Sequence, residues 1–461
     1  MKKSLIAISL LLLGAASLPI IGNSLLKNKL DEKVVELHAH GINTQKDMTN
    51  SSYLNTVRHF EFVLEDSQEF LDYLSRYSDK QLPSYTKALL DGVSFGVDVE
   101  YSNLPFAKAI VLDIYPISLS EVLEKNIRES DPEFLGYLEK FLAAKGLLYH
   151  IEYNFLNADF KGTIKDIDVA YEIDKDNRYR VVLKGTTFSG NGELLAPKRL
   201  DTRFKEMVLT IEEDKRSVDI FLKNFKTTNN FDSKITYLTS VELQEAGMET
   251  KGTDDDGRLV IDAMRVNASS NAQGETVELN SKFSVKKLEI TTQSSAAVVE
   301  KFNLDIALNK LNKKAVMKIT DLLSDNNSMQ SSTVDRELQN YSIALLSKGL
   351  EFNVADLSLR KMTIVEDTTE KNLKGFSIKS KTTFRADPAL EDKINRSPLL
   401  LVDNLTIESD MKFSKEIYAV ATQGRPMLAS FRTLAQEQGD KLLYKVELKN
   451  SKLSVNGKAL N

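Results

Sequence analysis

The sequence predicts an α+β fold that is rich in long, twisted antiparallel sheets covered by several amphipathic helices, behind an N-terminal transmembrane or signal helix. Three observations support this prediction. The chain opens with a basic and then apolar segment, many later segments alternate apolar and polar residues, and several segments have helical periodicity. Alternation puts apolar side chains on one strand face, which is typical of antiparallel sheets with one solvated face.

The first residues have the layout of an export signal or a membrane anchor. Lys2 and Lys3 precede an unbroken run of apolar and small residues from Leu5 to Ile21. A basic start followed by an apolar segment directs a chain to the membrane, and a helix that crosses a bilayer needs about 20 apolar residues. We therefore predict a signal anchor over residues 1–26.

Cleavage of this segment is the alternative, at Ala15–Ala16–Ser17 or at Ile20–Ile21–Gly22, where small residues could form a signal-peptidase site. In the first case the protein is a single-pass inner-membrane protein with its bulk in the periplasm. In the second case it is secreted to the periplasm. Both place residues 27–461 outside the cytoplasm.

Composition narrows the function classes. The chain has 461 residues, of which 42% are hydrophobic and 28% charged, and its net charge is -5. Acidic and basic residues are interspersed, so we predict no nucleic-acid partner. Cysteine is absent, which excludes disulfides, a lipoprotein cysteine, thiolate metal sites and cysteine nucleophiles.

The body, residues 27–461, is predicted to be β-rich, with a candidate break between two halves near 190–205. Clear alternation occurs at residues 93–102, 167–174 and 405–413. A hairpin is predicted around residues 213–216, and Asp254–Gly257 has the sequence of a second hairpin turn. In one strand the apolar phase slips at Lys286–Lys287, which predicts a β-bulge.

Helical periodicity predicts the elements that would cover the apolar sheet faces. Asp131–Pro132 is expected to start one helix, since aspartate caps helices and proline suits their first turn. The predicted segments are residues 70–77 after the cap Asp66–Ser67, residues 118–144, the pair 312–323 and 333–347, and residues 414–438 with a break at Gly424–Arg425–Pro426.

Three motifs resemble binding sites. His38-Ala-His40 has a spacing that some metal sites use, but we interpret it as the polar face of a strand. Asp254–Gly257 lacks the spaced ligands of a calcium loop, and Ser189–Gly192 lacks the Lys-Ser/Thr of a phosphate-binding loop; we interpret both as turns. We therefore predict no catalytic residue, no cofactor and no metal ligand.

The two ends of the chain carry a resemblance. The leader Met1–Leu5 combined with the closing segment Lys452–Leu460, Lys-Leu-Ser-Val-Asn-Gly-Lys-Ala-Leu, resembles the YdgA-like family, a domain of unknown function in bacterial envelopes. Ala459 departs from the proline often found after Asn-Gly-Lys in that family. The resemblance implies an anchored, β-rich extracytoplasmic protein and supplies no catalytic residues.

The expected function is that of a non-enzymatic envelope scaffold or assembly factor that acts through its periplasmic surface. A carrier of lipid or lipoprotein with an apolar groove is the alternative, and an enzyme acting on envelope polymers is the third. The expected partners are the inner membrane, through the N-terminal helix, and a second copy, an envelope protein or a lipid.

Overall fold

The computed structural model describes residues 23–460 apart from residue 25 and the stretches 76–84, 105–108, 174–176, 195–196, 234, 253–255, 325–331, 367–368, 388–392 and 394–401. Its contacts divide the chain into two compact units. The first unit holds Met1–Ile173 and Val182–Arg203, and the second holds Asp174–Val181 and Phe204–Asn461. All but a few residues of the predicted anchor, 1–26, lie outside the described part.

The first unit is an antiparallel sheet with short helices in its connections. Its strands pair in the order β1-β2-β3-β4-β5-β6-β9-β10. Its elements are α1 (26–38, with residues 23 and 24 also helical), β1 Ile42–Ser51, β2 Asn55–Leu64, α2 Ser67–Ser75, α3 Tyr85–Leu90, β3 Ser94–Ser102, β4 Ala109–Ser118, α4 Glu121–Ser130, α5 Pro132–Ala143, β5 Tyr149–Asn154, β6 Asp159–Ile164, β7 Ile167–Glu172, β9 Thr186–Gly192 and the first part of β10 Pro197–Glu213.

Helix α1 corrects a sequence interpretation. Residues 35–39 alternate like a strand, but Leu26, Leu30, Val34 and Leu37 recur at helical spacing and pack on the core of the first unit. That core is centred on buried side chains of β2 and β3, among them Phe60. The helical period buries more apolar surface here, so the strand prediction was wrong.

The second unit contains the longest strands. They pair in chain order from β11 to β18, then β18-β20-β21-β22, with the short β19 on β20. Its elements are the rest of β10, β11 Arg216–Ser233, β12 Thr236–Lys251, β13 Gly257–Gln273, β14 Thr276–Thr292, β15 Ser295–Asn312, α6 Lys313–Ser324, α7 Ser332–Leu345, β16 Leu350–Glu366, β17 Thr369–Phe384, β18 Leu405–Ser414, α8 Lys415–Thr422, α9 Pro426–Ser430, β19 Gln436–Gln438, β20 Lys441–Lys449, β21 Lys452–Val455 and β22 Lys458–Leu460; β8 spans Arg178–Lys184.

The predicted fold class was wrong about the covering helices. Strands make up 62% of the structure and helices 23%, and the sheets are not covered by several helices. Length explains this: the 12 residues of α6 span about 18 Å, whereas the 18 residues of β15 span about 59 Å. Helices of this size reach only one end of such strands, and in β15 only Leu311 is fully buried.

Among the residues that the structure describes, no helix has the length and apolarity needed to cross a membrane.

Most of the predicted helices and turns are confirmed. Asp131 accepts a hydrogen bond from the Phe134 amide at 2.9 Å and caps α5. Asp66 accepts a hydrogen bond from the Glu69 amide at the start of α2. Helices α6 and α7 form the predicted pair. The helix expected after Pro426 is shorter than predicted, since it becomes a 3₁₀ turn at Phe431–Leu434 and then β19.

The predicted bulge at Lys286–Lys287 has a different structure. Pairing lapses at Lys286, but the flanking pairs of β13 and β14 keep one register, so no residue is inserted. The same lapse occurs in one row across seven strands, at residues 224, 244, 263, 286, 301, 360 and 375. In that row Asn224, Ala263 and Lys301 have positive φ.

The consequence of this row is visible in β16 and β17. Leu359 and Met362 are three residues apart, as are Leu373 and Phe376, yet all four line the same cavity. Regular alternation would put residues three apart on opposite faces. The row of lapsed pairs therefore keeps the apolar side chains of both strand halves on one face of the sheet.

Candidate functional site

A large cavity lies in the second unit, between helices α8 and α9 and the sheet. Its volume is about 790 Å³, within the range of ligand-binding pockets. Apart from Thr422, Arg425 and two tyrosine hydroxyls, its lining is apolar. The lining residues are Leu359, Met362, Leu373, Phe376, Met411, Phe413, Ile417, Tyr418, Val420, Ala421, Thr422, Arg425, Leu428, Phe431, Tyr444, Val446, Leu453, Val455 and Leu460. We call this cavity the apolar groove.

Local capping fixes the helix that closes the groove. The Ser414 hydroxyl accepts a hydrogen bond from the Ile417 amide at 3.1 Å and donates one to the Lys374 carbonyl at 2.6 Å. It therefore caps α8 and fastens the helix to β17. Tyr418 donates a hydrogen bond to the Leu428 carbonyl at 2.7 Å, which ties α8 to α9 across the break at Gly424.

The floor of the groove is made of packed apolar and aromatic side chains. Leu442, Tyr444 and Val455 form a buried cluster there. The Phe413 ring lies 6.0 Å from the Tyr444 ring and 6.2 Å from the Tyr418 ring, in edge-to-face contact with both. These contacts pack the sheet side of the groove against helix α8.

One polar atom of the groove is poorly satisfied. The Tyr444 side chain is buried, and among the described residues its hydroxyl has no hydrogen bond of good geometry. Burial raises the pKa of Tyr444, and the Tyr418 hydroxyl is close enough to raise it further, so the Tyr444 hydroxyl keeps its proton. A buried hydroxyl without a good hydrogen bond costs free energy, and a ligand oxygen could satisfy it.

The rim combines exposed apolar side chains with a cation. Val420 is 44% exposed and Leu453 is 37% exposed. Arg425, also exposed, begins α9 at the rim, and in the described part of the chain its guanidinium has no carboxylate partner. The arrangement suits an amphiphile with an apolar tail and an anionic head.

A row of paired apolar side chains continues from the groove across the second unit. Directly paired residues share a face of the sheet, and the pairs form an unbroken apolar row from β11 to β20. The row is Phe225, Leu243, Met264, Val285, Phe302, Leu359, Phe376, Phe413 and Leu442. Because Leu359, Phe376 and Phe413 line the groove, the row extends the groove face over the neighbouring strands.

The first unit holds a cluster of charged groups instead. His59 Nδ1 lies 2.6 Å from Asp98 Oδ1, and His59 Nε2 lies 3.1 Å from Glu61 Oε1. Lys145 Nζ donates to the other Asp98 oxygen at 2.7 Å, and Lys46 donates to Glu61 at 2.8 Å. Each charge has a partner of opposite sign, so the cluster is interpreted as structural.

This cluster predicts a pH dependence. Hydrogen bonding to Asp98, and then to Glu61, raises the pKa of His59. The stabilisation is therefore complete below the unfolded-state histidine pKa of about 6.5 and is lost as the pH rises through the raised pKa. Wild type should exceed His59→Gln in unfolding free energy by about 1 kcal/mol at pH 6, and the difference should shrink above neutrality.

Chemical denaturation at a series of pH values, with NMR titration of the His59 ring, measures both quantities. Tyr115, whose ring lies 3.8 Å from Lys145 Nζ, also faces the cluster, and burial raises its pKa. Its phenol therefore stays neutral over this range. A difference between wild type and His59→Gln that is independent of pH would contradict the assignment.

The motifs considered in the sequence do not assemble into a site. His38 bonds to the Thr44 hydroxyl at 2.8 Å, and the His40 ring stacks on Tyr73 at 4.1 Å. Ser189–Gly192 is part of strand β9 and not a turn, which corrects that interpretation. Asp254 and Asp255 lie outside the described residues. No group of three or more histidine, aspartate or glutamate side chains in the described part of the chain could hold a metal ion.

Sequence reasoning considered an apolar groove but not its residues. The signal that could have located it is the phase slip of β16 and β17, where Leu359 and Met362, and likewise Leu373 and Phe376, are three residues apart.

Comparison of the chain with protein-family models, with curated proteins and with solved structures finds no match. The resemblance to the YdgA-like family therefore stays a prediction, and the groove is interpreted from its own geometry.

Proposed function

We propose that this chain is a non-enzymatic lipid carrier that holds the acyl chain of an anionic amphiphile in the apolar groove. The observation that carries the proposal is the groove itself, a cavity of about 790 Å³ whose lining is almost wholly apolar. Acyl chains bind in such cavities because burial of apolar surface contributes about 25 cal/mol per Å².

The polar groups of the groove favour a head group at the rim. Arg425 offers a cation there, and inside the groove the Tyr444 hydroxyl has no hydrogen bond of good geometry among the described residues. A carboxylate or phosphate at the rim would pair with the guanidinium. The apolar row extends the groove face toward β11, and its half-buried members Phe225, Met264 and Phe302 give acyl chains a partly accessible path.

The place of action follows from the leader, which supports an inner-membrane protein whose body faces the periplasm. A scaffold is the second candidate: it shares this location, but no described feature singles out a protein-binding surface in the second unit. The carrier is therefore the function that the geometry supports best.

Lipid retention tests the proposal. The full chain, purified in mild detergent, should carry phospholipid or fatty-acyl adducts in native mass spectrometry. The double variant Val420→Glu/Leu453→Glu should lose them, because a carboxylate in the groove weakens apolar binding by at least about 2–3 kcal/mol, on the order of a hundredfold in affinity.

Met427→Glu is the matched control. Met427 is 75% exposed, belongs to the same helix pair and does not line the groove, so its variant should retain the adducts. Lipid held only by the N-terminal segment would be the same in all three proteins. Equal adducts in all three would overturn the proposal, and a partner protein in place of lipid would favour the scaffold.

A further inference from the structure

One end of the sheet in the first unit is defined by a small asparagine-centred network. Asn23 Oδ1 accepts hydrogen bonds from the Tyr101 hydroxyl at 3.0 Å and from Thr56 at 3.3 Å, and Asn23 Nδ2 donates to Ser51 at 3.3 Å. Ser51 ends β1 and Tyr101 is near the end of β3. We call this the Asn23 end of the sheet.

Buried polar groups hold the turn between β1 and β2 at this end. Thr56 and Asn103 are almost fully buried and joined by a hydrogen bond of 2.7 Å. The Asn103 side chain donates to the Ser52 carbonyl at 2.7 Å, and its backbone amide donates to the Leu54 carbonyl at 2.7 Å. The backbone of the turn is therefore held in place by Asn103.

The two central side chains of this turn are apolar and exposed. Tyr53 is 56% exposed, and Leu54 beside it is also exposed. Two further exposed leucines lie at the same end: Leu104 follows β3, and Leu156 lies in the turn between β5 and β6. Strand pairing places them together, since the end of β3 pairs with the start of β2 and the end of β5 with the starts of β4 and β6.

The chain that precedes this end is apolar. The run from Leu5 to Ile21 stops two residues before Asn23, and Asn23 bonds to the same end of the sheet that carries the exposed tyrosine and leucines. Lys27 and Lys29 follow within the first turns of α1, and basic residues flank apolar segments at membrane surfaces. Four exposed apolar side chains at one end of a sheet form a patch that favours an apolar partner.

We infer that the Asn23 end is a second membrane contact, in which Tyr53, Leu54, Leu104 and Leu156 enter the interface of a phospholipid bilayer. Tyrosine suits this depth because its ring is apolar and its hydroxyl is polar. This contact would attach the first unit to the membrane in addition to the leader. This inference concerns the first unit and does not depend on lipid binding in the apolar groove.

The absence of tryptophan from the chain makes the test direct. Tyr53→Trp and Tyr149→Trp each introduce a single indole on an exposed tyrosine. Tyr149 starts β5 and pairs with Ile164, so it lies at the opposite end of the same sheet, 36% exposed. The full-length variants are reconstituted into phosphatidylcholine vesicles with and without bromine atoms high on the acyl chains.

The expected result is loss of most of the tryptophan emission of Tyr53→Trp in brominated vesicles, and no loss for Tyr149→Trp. Leu156→Trp should behave like Tyr53→Trp and serves if the latter does not fold. Equal emission with and without bromine would overturn the inference. Protection from a water-soluble quencher without bromine quenching would also overturn it, because a protein or a second copy would then cover this end.

Discussion

Gly375→Ala is expected to destabilise the second unit by about 3 kcal/mol, because there is no room for a side chain at this position. A β-carbon on Gly375 would lie 1.6 Å from the Leu359 carbonyl oxygen, which is far shorter than any van der Waals contact between two non-bonded atoms. Strand β17 would have to move away from β16. Hydrogen exchange of the β16 and β17 amides and the thermal midpoint measure the effect.

Because Leu359 and Phe376 flank this position and line the apolar groove, the variant should lose bound lipid as well as stability. Gly136→Ala is the matched control: its added β-carbon meets no atom within 4 Å in helix α5. Alanine there should stabilise the helix by about 0.5–1 kcal/mol. If Gly375→Ala leaves the stability unchanged or raises it, the close strand approach at Gly375 does not exist.

Arg58→Met is expected to cost about 2–3 kcal/mol and to loosen helix α1. The nearly buried guanidinium donates two hydrogen bonds to Asp47, at 2.9 and 2.6 Å, and one to Asp31 of α1 at 2.6 Å. Loss of one partner from a buried ion pair costs about 3–5 kcal/mol. The figure is lower here because both carboxylates are more than a third exposed.

The pKa shifts of Arg58 and Asp31 have their cause in the same ion pairs. Hydrogen bonding to Asp47 raises the pKa of Arg58 against its burial; burial pushes the pKa of Asp31 upward, but hydrogen bonds from Lys27 and Arg58 lower it. Lys46→Met is the control, since Lys46 spans the same two strands to Glu61 from an exposed position and should cost less than about 1 kcal/mol. Hydrogen exchange over residues 26–38 compares Arg58→Met with Lys46→Met. Equal protection of α1 in both variants would contradict a stabilising role for the Arg58–Asp31 ion pair.

The sequence predicts local structure where a single residue decides it. Asp131–Pro132 and Asp66 mark helix starts because a carboxylate can satisfy only the first free amides. Residues 35–39 were assigned wrongly because five residues are too few to separate a period of two from one of 3.6, and the deciding contacts of Leu26 and Leu30 lie with β2 and β3.

Sheet coverage could not be predicted from alternation. Alternation shows that one face is apolar, but it does not show what lies on that face. The slip at Lys286 was visible in one strand, but its meaning depends on Asn224, Ala263 and Lys301 falling in the same row, which only the pairing of the strands reveals. The environment of the Tyr444 hydroxyl likewise carries no signal in the sequence, since it depends on which residues of other strands and helices surround the ring.

The row of lapsed pairs has a consequence for how such a sheet can grow. The hairpins β11–β12, β13–β14 and β15–β16 each contain one lapsed pair in the same row, so one more hairpin with that feature would join the array without disturbing its neighbours. It would widen the array by about 10 Å, two strand spacings. Duplication of a single hairpin would thus lengthen the apolar row by two strands.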